Sequence, residues 1–194
     1  MISPVDDAEL IEGCKQGRRD AQRAMFDRYH ERIYRLLLRL TRDEHQAFDL
    51  AQDTFLRAFD RIRDFEGRSG LGTWLYRIAT NEGLQWLRRR RTERRHLEII
   101  AQQRNTPERD PDVPDTPDID QALATLSEQH RLILLLRYQE NLDYAQLAEV
   151  LDCSPGTVAS RLNRARAELR AALTRQNHDD EEETTHPTHP HKQE

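Results

Sequence analysis

Five side chains in the first half of the chain have the types and spacing to handle nucleic acid. Trp74, Arg77, Asn81, Gln85 and Arg88 are separated by 3, 4, 4 and 3 residues, which aligns them on one stripe of a helix from about Thr73 to beyond Arg91. An aromatic ring can stack on an unpaired base, arginine neutralises phosphate, and the amides of Asn and Gln can read a base edge. Another face of the same segment carries Leu75, Ile78, Ala79 and Trp86, a core stripe. Trp74 keeps two readings at this point, a ring in the core or a ring on a base. The block Arg88, Arg89, Arg90, Arg91, Arg94 and Arg95 extends the cationic surface and favours nucleic acid. Catalysis has no comparable candidates: the chain contains no Ser/His/Asp set, phosphate loop or HExxH, so neither an enzyme nor a cofactor is expected.

A second constellation lies near the other end. Asp143 is placed to cap a short helix with Gln146 as its reciprocal partner, and that helix presents Leu147, Val150 and Leu151. Asp152 and Cys153 form a turn. Ser154 is an N-cap candidate and Pro155 suits the first helical position, where a missing N–H costs nothing. The next helix has Val158, Leu162, Ala165 and Leu169 on one face and Thr157, Ser160, Arg161 and Arg164 on the other. A short helix, a tight turn and a helix with a polar, basic start is the plan of a helix-turn-helix, whose second helix enters the major groove. An ordinary helical hairpin with a solvated arginine face has the same pattern. Leu132 to Leu136 supply a packing helix upstream.

The elements that must position these residues are helical. The chain has 194 residues, 7 Gly and 8 Pro, and long runs without either favour helix. Asp20 is placed to cap a helix toward Leu40 that carries Phe26, Ile33 and Leu37. Thr41-Arg42-Asp43-Glu44 reads as a capping box, with Thr41 as the N-cap. The helix after it carries Phe48, Phe55, Phe59 and Ile62 on one face and Asp49, Asp53, Leu56 and Asp60 on another, with Gln52 between. That acidic stripe is either a solvated face or a protein-docking surface with an apolar centre. Gly67, Gly70 and Gly72 break the chain into a short loop.

Charge is segregated. Apolar residues make up 36% and charged residues 34%, so the cores are small or part of the chain lies outside them. The net charge of -5 taken alone argues against a free-standing DNA binder, yet arginines cluster at 88–95 and 161–170, where they could meet nucleic acid, while acids cluster at 110–120 and 179–183, where they would prevent indiscriminate binding. From Asn105 to Pro117, four prolines alternate with acids, the composition of an extended linker. The organisation expected is all-α: a first helical domain over 1–95, an acidic Pro-rich linker over 96–118, a helix-turn-helix domain over 119–175, and a disordered acidic, His/Pro-rich tail over 176–194. In that tail His186, His189 and His191 read as polar composition rather than a metal site. Cys14 and Cys153 read as small buried residues, and a reducing cytoplasm fits. No signal peptide or membrane span is visible.

These residues resemble bacterial RNA polymerase sigma factors of the extracytoplasmic-function (ECF) type. Asp49-Leu-Ala-Gln-Asp-Thr-Phe-Leu-Arg-Ala-Phe59 is similar to their polymerase-docking helix. Phe65 to Asn81 resembles the segment that opens the promoter −10 element. Leu126-Ser-Glu-Gln-His-Arg131 fits the start of the second sigma domain, and Tyr144 to Leu169 resembles its −35-reading helix-turn-helix. The resemblance runs in order from about residue 5 to 173. It implies that Asp49, Gln52, Asp53 and Leu56 dock on the β′ clamp helices of core polymerase. The loop Phe65 to Gly72, with Phe65, Arg68 and Ser69, would capture a flipped −10 base, and Trp74, Arg77, Asn81 and Arg88 would meet the −10 strand. Ser154, Thr157, Ser160, Arg161 and Arg164 would meet the −35 duplex. The partners implied are core polymerase through β′ clamp and β flap, promoter DNA and an anti-sigma factor, with no small-molecule substrate, metal or membrane insertion. Ala159 stands where many relatives have Arg, which opens the −35 preference, and the Gly-rich loop Gly67 to Gly72 leaves the −10 base preference open; Asn163 stands where a bulky residue is frequent and Glu82 where a small one is. A sigma-like decoy that occupies a partner without starting transcription has no need of the Trp74 to Arg88 stripe. A stand-alone helix-turn-helix repressor leaves Asp49 to Leu56 unexplained.

Overall fold

The computed structural model describes the backbone of residues 7–101 and 118–183 and the side chains of 7–96 and 119–175. Every regular element among them is helical. The first four helices are α1 (Asp7–Lys15), α2 (Arg19–Thr41), α3 (Glu44–Arg61) and α4 (Leu71–Ala101), with a 3₁₀ turn at Ile62–Asp64 after α3. The second set is α5 (Asp118–Thr125), α6 (Glu128–Leu134), α7 (Tyr144–Val150) and α8 (Pro155–Glu183), with a π-helical turn at Leu135–Gln139. The Pro-rich stretch 102–117 and the His/Pro end 184–194, including His186, His189 and His191, lie outside the described residues.

The first group is built on α2. Its positions 25, 29, 33, 36, 37 and 40 are buried, a helical repeat that gives α3 and α4 a common surface. α3 answers with Ala47, Leu50, Ala51, Thr54, Phe55 and Ala58, and α4 with Leu75, Ala79 and Leu87. Gly83 sits where α4 crosses α2. A Cβ there would lie 2.8 Å from Leu40 Cδ2 and 3.1 Å from Leu37 Cδ2, so the helices approach because that side chain is missing.

Several boundaries differ from the sequence reading. Asp20 lies inside the first turn of α2, and the N-cap is Arg18, whose guanidinium pairs with the Asp20 carboxylate (Nε–Oδ1 3.2 Å). Thr41 ends α2 rather than starting α3: its hydroxyl donates to Leu37 O at 2.9 Å, one turn back. Arg42 then takes a left-handed φ of 58°, and Asp43 caps α3 by accepting from Gln46 N at 3.1 Å. Phe48 is 49% exposed instead of joining Phe55 in the core, because the buried face of α3 is centred on its alanines. α4 continues to Ala101, past the expected boundary at 95, and the α8 backbone is helical to Glu183, past the expected end at 175. Neither extension contains Pro or Gly to break it.

The second group packs on Leu132 to Leu136, all buried as expected, with Leu147, Val150, Val158, Leu162 and Ala165 around them. Arg131 is buried beside this core, and among the described residues no carboxylate pairs with its guanidinium. It donates instead to the carbonyls of Leu123 (3.0 Å), Ala124 (2.9 Å) and Leu126 (3.3 Å) at the end of α5, and of Leu40 (3.0 Å) at the end of α2. Helix C-termini carry unpaired carbonyls and partial negative charge, so one planar fork satisfies two of them. Burial pushes the Arg131 pKa down, yet a guanidinium remains protonated. Arg131→Leu is expected to lower the urea unfolding free energy by about 2–3 kcal/mol, the worth of charge-assisted bonds left unmade; a midpoint equal to the parent's would refute this account.

Candidate nucleic-acid and protein interfaces

On α4 the stripe of candidate contacts divides. Trp74 is 7% exposed and packs on Phe65, ring centroids 5.1 Å apart. Both rings therefore belong to the core, which corrects the reading of Trp74 as an exposed stacking surface and withdraws Phe65 from solvent. Phe65 lies nine residues back in the preceding loop, outside the helical period used to assign faces. Arg77 is half-buried, while Asn81, Gln85 and Arg88 are exposed. With Arg89, Thr92 and Glu93 the last three line an open depression of about 620 Å³. Arg90 lies over the Trp86 ring at 5.1 Å, which fixes the direction of that side chain. Glu82 pairs with Arg57 of α3 at 3.0 Å, so this acid is spent inside the first domain and does not oppose phosphate.

The loop before α4 holds Arg68 and Ser69. Arg68 is exposed and pairs with Glu66 at 2.5 Å; Ser69 is half-buried. Gly67 has a φ of +72°, a backbone region that glycine enters without strain. Across the domain, Asp49, Gln52, Asp53, Leu56 and Asp60 are all exposed on α3. Leu56, at 62%, and Phe48 make an apolar centre in this acidic surface.

The helix-turn-helix forms with the caps its sequence predicts. Asp143 Oδ1 accepts from Gln146 N at 2.8 Å and Gln146 Oε1 accepts from Asp143 N at 2.9 Å, a full capping box. Asp152 makes the turn with a φ of 47°. Ser154 Oγ accepts from Thr157 N at 3.2 Å, and Pro155 opens α8. Val158, Leu162 and Ala165 are fully buried; Ser160 and Arg164 are exposed, and Thr157 and Arg161 are half-buried. Ser154 and Thr157 also bond each other through their hydroxyls at 2.9 Å.

The sequence reading missed a polar cluster on the second domain. Tyr138 is 57% exposed, accepts from Arg166 Nε at 2.7 Å and lies under that guanidinium; Arg137 lies over Tyr144. The bond to Tyr138 raises the Arg166 pKa. The signal was faint: Arg137, Tyr138 and Tyr144 lie close in sequence, but the α8 partner of Tyr138 is 28 residues away.

The sigma-70 region 2 family model matches residues 25–93, and the sigma-70 region 4 model matches 117–169. The RNA polymerase sigma factor YlaC of Bacillus subtilis is 32% identical over 165 residues, spanning 81% of this chain and 94% of that protein. The ECF RNA polymerase sigma-E factor of Haemophilus influenzae is 31% identical, spanning 86% and 94%. The chain belongs to the sigma-70 family, in its ECF branch. This sigma factor is thus a promoter-recognition subunit for transcription initiation by RNA polymerase. Its fold agrees with the sigma factor RpoE of Bartonella quintana, solved in complex with the anti-sigma factor NepR: 26% identity, TM-score 0.63, 78% of this chain and 96% of that one.

Ser154→Ala removes the cap of the recognition helix. Unfolding in urea is expected to show a loss of about 1 kcal/mol, and Ser154→Asp is expected to restore it. Equal stability of all three would mean that Ser154 does not cap α8.

Proposed function

We propose that the contacts of this sigma factor divide among its surfaces as follows. Asp49, Gln52, Asp53 and Leu56 of α3 dock on the β′ clamp helices of core polymerase, with Leu56 as the apolar centre of an acidic rim. Desolvated apolar centres with charged rims suit protein interfaces, where the centre gives affinity and the rim steers association. The exposure of all four side chains supports this reading. The first domain, over 1–95, handles the −10 element. Asn81 and Arg88, with Arg77 behind them, meet the strand, and the loop carrying Arg68 and Ser69 receives an unpaired base. With Trp74 and Phe65 buried, their part is to hold that loop against α4 rather than to stack.

The domain over 119–175 carries the −35 contacts on α8: Thr157, Ser160, Arg161 and Arg164. Ser154 serves as the cap that presents them. The stretch between α4 and α5 links the two domains, and the acidic end from 176 begins as a continuation of α8. Weak separate DNA contacts become selective when two reading modules are held on one large body. The β flap is the second polymerase contact, and an anti-sigma factor is the regulatory partner. The relative solved with NepR supports the latter. The protein has no enzymatic activity of its own and works in the cytoplasm. Among the described residues no helix is long and apolar enough to cross a membrane.

The observation that carries this reading is the coexistence of an exposed acidic α3 stripe with an exposed arginine-and-amide surface on α4 and an arginine-and-hydroxyl surface on α8 that includes exposed Ser160 and Arg164. Purified protein mixed with core RNA polymerase on fragmented genomic DNA is expected to start transcripts at defined sites that share a two-part upstream motif. Asp53→Ala is expected to weaken core binding. Arg164→Ala is expected to weaken −35 recognition by about 1–3 kcal/mol, roughly five- to 150-fold, and leave core binding intact. Core binding without defined starts would overturn the DNA assignments. Defined starts untouched by Asp53→Ala would overturn the docking assignment.

A further inference from the structure

Polar side chains on α8 divide by whether the fold already uses them. Val158, Leu162 and Ala165 are fully buried and fix the inner face of the helix. At ~100° per residue the opposite face is centred on Ser160, Asn163, Arg164 and Ala167, and all four are exposed. Thr157 and Arg161 lie to one side of that face, half-buried. The hydroxyls are engaged within the first turns. Ser154 and Thr157 bond each other at 2.9 Å, and Ser160 Oγ donates to Thr157 O at 2.9 Å. Two polar groups remain on the outward face. Among the described residues, neither the Asn163 amide nor the Arg164 guanidinium bonds another group of the protein.

The asparagine has no structural reason to be there. Inside a helix asparagine is unfavourable, because its amide competes for backbone groups. Asn163 lies past the second turn of α8 and makes no such bond. Its neighbours four residues either way are Ala159 and Ala167, so no long side chain of that ridge stands between the amide and a groove floor.

A helix ~10–12 Å across fills a major groove ~12 Å wide and presents its outward face to the base edges. An asparagine amide there makes a two-point contact with adenine, accepting from N6 and donating to N7. Arginine makes the matching contact with O6 and N7 of guanine. Consecutive Cα atoms are ~3.8 Å apart and base pairs are spaced by ~3.4 Å, so side chains at 163 and 164 reach neighbouring base pairs.

We propose that Asn163 is a specificity-determining residue of this sigma factor, reading an adenine of the −35 element beside a guanine read by Arg164. The inference rests on the assignment of α8 to the −35 duplex and adds the bases it selects.

The test uses core polymerase loaded with the full chain and promoters from its mapped start sites, randomised across the −35 region. Transcripts are counted for each sequence. The parent is expected to prefer adenine at one position and guanine at its neighbour, and Arg164→Ala to flatten the guanine. Asn163→Ala is expected to reduce the adenine preference about tenfold, the worth of one two-point base contact. Its guanine preference, core binding and circular dichroism are expected to match the parent's. Asn163→Arg is expected to turn the same position to guanine. A duplex with 7-deazaadenine there lacks the N7 acceptor. It is expected to bind the parent holoenzyme several-fold more weakly, with no further loss for Asn163→Ala. An adenine preference that survives Asn163→Ala, or no adenine beside the Arg164-dependent guanine, would sink this inference and leave the −35 assignment standing. So would an equal 7-deazaadenine penalty in parent and variant, or a loss spread evenly over the whole element, which marks a structural role. A parent holoenzyme with defined starts and no −35 preference would remove the assignment of α8 to that element, and the base contact with it.

Discussion

The seam between α4 and α2 governs the rest of the molecule. α4 must bury one face on α2 and keep another for contact. Positions 75, 79, 83 and 87 recur every fourth residue and are buried, while 77, 81, 85 and 88 point away. Both sets follow from one 3.6-residue period, so the direction of the contact stripe is set by the packing of its opposite face. Gly83 tightens this seam by letting α4 approach Leu37 and Leu40. The position of α2 in turn depends on α3, whose small residues Ala47, Ala51 and Ala58 bring it close enough to expose the whole acidic stripe beyond them.

What could be read from residues alone was local. The Asp143 and Ser154 caps involve side chains reaching three residues along the chain, and both form with the partners their types predict. The apolar period of α8 was legible for the same reason. Thr41 was misplaced because a threonine hydroxyl satisfies a carbonyl four residues back as readily as it caps a following helix, and Asp43 competes for the capping role. Trp74 was open to two readings because its partner Phe65 comes from a loop without periodicity. The phenylalanines of α3 suggested a wide aromatic face, but Phe48 at the start of the helix has no neighbour to cover it.

The contacts between domains left no trace in the sequence. Arg32 and Glu140 are 108 positions apart, and Arg131 and Leu40 are 91 apart. Arginines on a helix as charged as α2 read as solvated surface, and a lone glutamate in a turn reads as nothing in particular. Their meaning arises from burial: a 2%-exposed carboxylate gathers every donor within reach, and burial together with its bond to Glu140 pushes the Tyr76 pKa well above its ordinary value, so the phenol remains a donor.

Arg131 ties these levels together in a way that bears on cooperativity. Its guanidinium ends α5 within its own domain and, through the Leu40 carbonyl, α2 in the other. Two domains that share a buried cation cannot melt independently while that bond holds, because unfolding either one strands the same charged group. Joined in this way the two domains share one buried cluster, more than either would bury alone. A defect in either core is therefore felt in both domains.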